Sequence, residues 1–259
     1  MSNTPRETKA KARERLAAER AAQAAAARRR ENLVRWGLVI GVVVIVAAIA
    51  VGVVVTRSAS SNDTSGATPA GVTDSMGFPT GAATAPVVNL WEDFQCPNCR
   101  DFEAANRAAI EAMATSGKAK IVYHTWAFLD RENVNNAKDT QDSSTRAAIA
   151  AACASDQGKF LSMHDTIFEN QPATEGDGYT DAQLEDFAKQ AGVADADQFA
   201  QCLSTRKYAG FVNRVGQAAD QNQVTGTPTV QVDGTIVDFS GVTSWTEAWQ
   251  RVETAVDKA

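Results

Sequence analysis

The chain has 259 residues, with 25 Lys and Arg against 31 Asp and Glu, and that formal net charge of −6 is spread unevenly. Residues 1–35 hold ten basic and four acidic side chains, whereas from Arg57 onward there are 15 basic against 27 acidic, a net −12. So acidic a C-terminal part excludes nucleic acid and anionic lipid surfaces as its partners, and the length allows one or two domains.

Residues 1–35 are rich in Ala and charge and carry hardly any large apolar side chain. A helix there would have no core-facing stripe, so the segment reads as a basic cytoplasmic tail. Residues 36–56 are 21 uncharged residues dominated by Val, Ile and Ala, bracketed by Arg35 and Arg57. At ~1.5 Å per residue they span a hydrocarbon layer of ~30 Å. The basic excess before them predicts an inside N terminus and an exported remainder. A cleaved signal peptide fits less well, because the usual apolar region is only ~7–15 residues and the small-residue site near Ser58, Ala59 and Ser60 is weak. Residues 57–76 have linker composition and as a flexible coil would reach ~25 Å.

From Gly77 the pattern is that of a packed domain. Val87, Val88, Leu90 and Trp91 read as a strand that runs through Glu92 and Phe94 into Cys96-Pro97-Asn98-Cys99. Phe102, Ala105, Ala109, Ile110 and Met113 then recur at helical spacing until Gly117. Residues 120–128 read as a second strand, so strand, helix and strand imply a parallel pair with a crossover. Residues 142–223 read as helical throughout. They include a helix with Ile149 and Cys153, one with Phe160 and His164, capped starts at Thr180 and Asp195, and a last stretch from Thr205 through Val215. Thr229-Val230-Gln231-Val232, the turn Asp233-Gly234 and Thr235-Ile236-Val237 form a hairpin. A closing helix starts at Ser244, with Glu247 as its capping-box partner.

This layout puts Cys96 where a strand hands over to the first turn of a helix. Unpaired N–H groups and the helix dipole there favour a thiolate, Pro97 loses nothing by lacking an N–H, and Cys99 lies one turn on. A dithiol redox centre is the chemistry such a pair supports. A zinc site would need a second ligand pair, yet Cys153 and Cys202 are far apart in sequence and the histidines are His124 and His164. A purely structural disulfide across so short a loop would stabilise weakly. All four cysteines follow the apolar span, and an even count there suits an oxidising compartment. His124 and His164 read as packed residues, the tryptophans as core or anchor, and Glu92 and Asp93 as mostly solvated.

From about Gly77 to its end the chain resembles the DsbA-like thioredoxin-fold disulfide oxidoreductases of the bacterial cell envelope, in their membrane-anchored actinobacterial form. The resemblance rests on Glu92-Asp93-Phe94-Gln95-Cys96-Pro97-Asn98-Cys99, the helical insertion over about 140–223, and Val224-Thr225-Gly226-Thr227-Pro228-Thr229. It implies an α/β thioredoxin fold with an inserted all-helical subdomain over 77–259, preceded by one transmembrane helix. It also implies a cis Thr227-Pro228 bond that packs beside the catalytic Cys96 and Cys99, with Thr227 holding the substrate strand. A Cys153–Cys202 disulfide joining two helices is implied in the same way. Closing about 50 residues would contribute ~4 kcal/mol on the chain-entropy model.

Two positions depart from the family. The buried acid expected six residues before the first cysteine is Leu90, which leaves Glu92 or water as proton acceptor for Cys99. The residue before the second cysteine is Asn98, which carries no charge and predicts a less oxidising pair than a histidine there would give. The expected function is disulfide formation in exported proteins, with no cofactor or metal, and the resemblance implies a quinone-linked membrane protein as reoxidising partner. A reductase or isomerase of the same fold and a tethered binding or chaperone module are the competing readings.

Overall fold

Val87–Glu92 (β2) lies at the middle of the sheet, paired on both sides. Lys120–Thr125 (β3) runs parallel to it from Val87↔Lys120 to Glu92↔Thr125, and helix α1, Pro97–Thr115, is the crossover that a parallel pair requires. Thr229–Val232 (β4) pairs antiparallel on the other side of β2, with Thr235–Ile236 (β5) beyond it. Phe78–Gly81 (β1) closes the opposite edge against β3, giving the order β1-β3-β2-β4-β5. The computed structural model describes residues 64–73, 75–131, 142–174 and 177–259. All of them belong to the unit Ser60–Ala259.

Local chemistry accounts for the hairpin and the helix ends. Asp233 and Gly234 both have positive φ, 45° and 80°, as a two-residue primed turn demands. Gly117, at φ 72°, ends α1 with Gly117 N–H on Ala114 O and Lys118 N–H on Met113 O. β1 is not foreshadowed by the sequence. Its Pro79 and Gly81 make a poor strand signal, and proline is tolerated there because β1 is an edge strand.

Between β3 and β4 the described residues form six helices: Phe128–Arg131 (α2), Ser143–Ser155 (α3), Phe160–Glu169 (α4), Asp181–Gln190 (α5), Ala196–Ser204 (α6) and Ala209–Gln221 (α7). α3 is their centre. Residues 147–154 are buried on every face, and the small Ala side chains let α4, α5, α6 and α7 all pack on it. The Cys153–Cys202 disulfide joins α3 to α6 with the Cα atoms 5.9 Å apart. α5 begins with the Thr180–Gln183 capping box, and Asp195 caps α6 by accepting from Gln198 N–H at 2.9 Å.

The last helical stretch, expected from Thr205, starts instead at Ala209. The α6 end closes as at Gly117, with Arg206 N–H on Leu203 O and Lys207 N–H on Cys202 O, but the left-handed position at φ 51° is held by Arg206. Without a glycine, the sequence hides that break. After the hairpin, helix α8, Trp245–Val256, buries Trp249, Val252 and Val256 against α1 and β4. Ser244 accepts from Glu247 N–H, while the Glu247 carboxylate turns to Thr243 N–H and not back to the cap residue.

Residues 1–63, with the basic tail and the expected membrane span over 36–56, lie outside the described residues. Among the described residues no helix is long and apolar enough to cross a membrane. The expected linker, 57–76, is described from Thr64. There Arg214 on α7 donates to Thr64 O at 2.7 Å, Ala67 O at 3.1 Å and Thr68 Oγ1 at 3.0 Å.

Candidate active site

The turn from β2 into α1 is shaped by Asp93. Its Oδ1 accepts from Gln95 N–H at 2.8 Å and its carbonyl from Cys96 N–H at 3.0 Å, so the chain reverses and enters the helix at Cys96. Cys96 is the residue before the first helical position, extended at φ −71° and ψ 118°, and Pro97 begins the helix. Cys99 follows one turn on, with its N–H on Cys96 O at 3.1 Å. Both are free thiols. Cys99 is fully buried and Cys96 is 6% exposed, so the first sulfur is the reachable one but is more covered than its place at a helix start implies.

Part of that cover is the loop before β4. Thr227-Pro228 is a cis peptide, and the Cys96 thiol donates to Thr227 O at 3.4 Å across 131 residues of sequence. The connection between α4 and α5 supplies the rest of the setting. Gln171 Nε2 donates to Phe94 O at 2.8 Å and to Cys96 O at 3.1 Å, and Tyr179 OH donates to Phe94 O at 2.8 Å. Asp93, expected to be mostly solvated, is buried. It accepts from Ser144 OH at 2.7 Å and Leu129 N–H at 2.9 Å, while burial pushes its carboxyl up to about 7.

These surroundings drive the two sulfurs apart. The Cys99 thiol donates to Cys96 and lowers it to about 6, against burial and with help from the N–H groups of Cys99 and Asn98. Asn98 acts here through its backbone, and its side chain is exposed. Burial pushes Cys99 well above the ordinary thiol range, and the charges of Cys96 and Glu92 add to it.

Behind Cys99 stands a cluster that the sequence did not reveal. Glu92, expected to be mostly solvated, is buried at the end of β2 and lies 3.1 Å from His164 Nε2 of α4. Glu103 of α1 is buried beside them, and donor atoms of the three lie within 4.8 Å of one another. A cation would fit that spacing, but His164 and Arg107 already bring positive charge to the carboxyls. His164 is packed, as expected, between Phe94, Tyr123 and Phe168, yet it is also an ionic partner. Glu103 had one available signal, since it lies four residues after Cys99 and hence on the same helix face. His124, by contrast, stacks on Trp91 at 3.8 Å as an ordinary core side chain.

The family profile described as Thioredoxin matches residues 73–258. The Na(+)/H(+) antiporter NhaA 3 of Salinispora tropica is 32% identical over 155 residues, which is 60% of this chain and 21% of that protein. The chain thus spans about a fifth of the length of the curated relatives it matches. Among solved structures, oxidised DsbA of Mycobacterium tuberculosis is 27% identical with a TM-score of 0.55, over 70% of this chain and 92% of that one. The MdbA protein of Actinomyces oris, a thiol-disulfide oxidoreductase, is 21% identical with a TM-score of 0.61, over 75% of this chain and 93% of that one; at that identity the likeness concerns the fold.

Proposed function

The chain belongs to the thioredoxin family, and on that footing we propose that it forms disulfides in exported proteins by exchange through Cys96 and Cys99. The likeness to DsbA of M. tuberculosis supports thiol-disulfide oxidoreductase activity. The observation that carries the reading is the asymmetry of the two sulfurs, one lowered to about 6 beside Thr227 O and the other buried and raised.

Starting from a Cys96–Cys99 disulfide, a substrate thiolate bonds to Cys96 and Cys99 leaves. A second substrate thiolate then bonds to the first substrate sulfur, and Cys96 leaves as a thiolate. A low pKa makes Cys96 a good leaving group in that second step. It also stabilises the reduced enzyme, which favours oxidation of the substrate over its reduction. Thr227 O, which accepts the Cys96 thiol here, is the backbone group that would take up a substrate N–H, with cis-Pro228 next to it. Two further parts of the proposal rest on sequence, a single-pass anchor over 36–56 and an extracytoplasmic catalytic domain, and one on the family resemblance alone, a quinone-linked membrane protein that reoxidises the pair.

The test uses the oxidised protein and a reduced, unfolded multi-disulfide substrate. Substrate should regain disulfides with wild type and not with Cys96→Ser, and Cys99→Ala should accumulate mixed disulfides at Cys96. Substrate oxidation that persists in Cys96→Ser would sink the assignment.

A further inference from the structure

The Cys96 carbonyl takes a bond that helix α1 does not need. Cys99 N–H and Arg100 N–H already reach it at 3.1 and 3.2 Å, as the first turn of a helix provides, and Gln171 Nε2 adds a third donor at 3.1 Å from 75 residues along the chain. The same Nε2 donates to Phe94 O at 2.8 Å, on the other side of the turn. To make these two bonds the amide gives up a partner of its own, because Gln171 Oε1 is buried without one. A buried oxygen left in that state costs stability, so stability alone is a poor reason for the amide to be there.

Gln171 is placed to act as a fixed post. Its N–H bonds Phe168 O at 3.2 Å at the end of α4, and Pro172 follows, which restricts the backbone of the residue before it. Further along the same connection Gly178, at φ 65°, lies so close to α3 that a Cβ would strike Ser143 Oγ. Tyr179 beside it donates to Phe94 O, so the connection grips Phe94 at two points and Cys96 at one.

Cys96 is where such a grip changes chemistry. Its ψ of 118° is a rotation about the Cα–C bond, with the sulfur on one side and the carbonyl and the α1 N–H groups on the other. A residue at this position ordinarily caps the helix with a side-chain acceptor. The sulfur makes no such cap bond, yet the N–H groups of Cys99 and Asn98 favour its charge. They are near enough to act, and a small rotation alters how strongly. The geometry points to Gln171 as a positioning residue for the dithiol: by holding Cys96 O it fixes that rotation, and with it the separation of the Cys96 sulfur from the N–H groups that stabilise its charge. This rests on the dithiol reading above. When a second substrate thiolate releases Cys96, the electron pair of the broken bond settles on a sulfur whose N–H partners are already in place.

Gln171→Met keeps the length of the side chain and removes the donor. It changes no charge, so among the described residues Asp93, Cys99, Arg100, Asp177 and Tyr179, the titratable groups of this turn and of the connection over it, stay as they are. In the reduced full chain, the midpoint of thiolate absorbance for Cys96 should rise by about one pH unit in Gln171→Met, a fraction of a charged hydrogen bond. Its thiol–disulfide equilibrium with glutathione at pH 7 should move about fivefold toward the oxidised protein, because a higher midpoint destabilises the reduced form. Tyr179→Phe, which loosens Phe94 O alone, should leave both where they are. A Gln171→Met midpoint equal to wild type, or an equal rise in Tyr179→Phe, would overturn the proposal, the second by making the effect one of the whole turn. Should Gln171→Met fail to fold, wild type decides: the side-chain amide signals of Gln171 in nitrogen-15 NMR should shift with the Cys96 midpoint, and signals that ignore it would overturn the proposal equally. No protein substrate is involved, so a chain that shows the rise yet oxidises no substrate would refute the disulfide-forming role alone.

Discussion

Cys96 and Cys99 lie one turn apart at the head of α1, among backbone N–H groups, a loop carbonyl and buried carboxyls. Cys153 and Cys202 lie 49 residues apart within α3 and α6, and Cys153 is flanked by buried alanines. Around the first pair, backbone N–H groups and the Cys99 thiol favour charge on Cys96, while burial and neighbouring charge deny it to Cys99. The second pair ties together two helices of the insertion. Reactivity follows from what surrounds a cysteine, and cross-linking from how much chain it closes.

The largest expected effect sharpens that division from the structural side. Replacing Cys153 and Cys202 together by Ala should lower the unfolding free energy by about 4 kcal/mol and leave thiol exchange at Cys96 intact. A denaturant series with a parallel exchange assay would break the comparison if exchange fell with stability.

Next comes the pH dependence of the reactive pair. Cys96 titrates in the fold at about 6, below its ordinary value, so its thiolate stabilises the reduced form fully at high pH, and that stabilisation is lost as pH falls through 6. At pH 8, two pH units above the folded value, reduced protein should exceed oxidised by roughly 3 kcal/mol more than at pH 5. Unfolding curves of both forms at the two pH values measure it, and a difference that does not change with pH would remove the electrostatic half of the comparison.

The smallest effect lies at the turn between the two regions. In Asp93→Asn the amide can offer an N–H toward Leu129 N–H or the Ser144 hydroxyl, where the carboxylate only accepts. A loss of about 2 kcal/mol is expected, equal in oxidised and reduced protein. A loss confined to one redox form would show Asp93 acting on the sulfurs and not on the turn.

What could be read from sequence was local. The strand, Cys-Pro-Asn-Cys and helix, the Asp233-Gly234 hairpin and the Thr180 cap each announce themselves within a few residues, and the structure has all of them. The cluster behind Cys99 could not be read so, because His164 meets Glu92 across 72 residues and only the packing of α4 brings them together. Glu92 and Asp93 looked solvated because charged side chains usually are, and their burial is set by elements far along the chain. β1 and the break at Arg206 escaped for a different reason: each uses a residue that the usual signals do not favour there.

Gln171 and Tyr179 reach from the inserted segment onto the carbonyls of Phe94 and Cys96, and Ser144 reaches onto Asp93. A trimmed version of this protein, cut back to a minimal sheet-and-helix scaffold for engineering, would thus strip the reactive loop of its outer scaffolding as well as shorten the chain. In descendants of such a sequence, the insertion and the dithiol loop can change only in step.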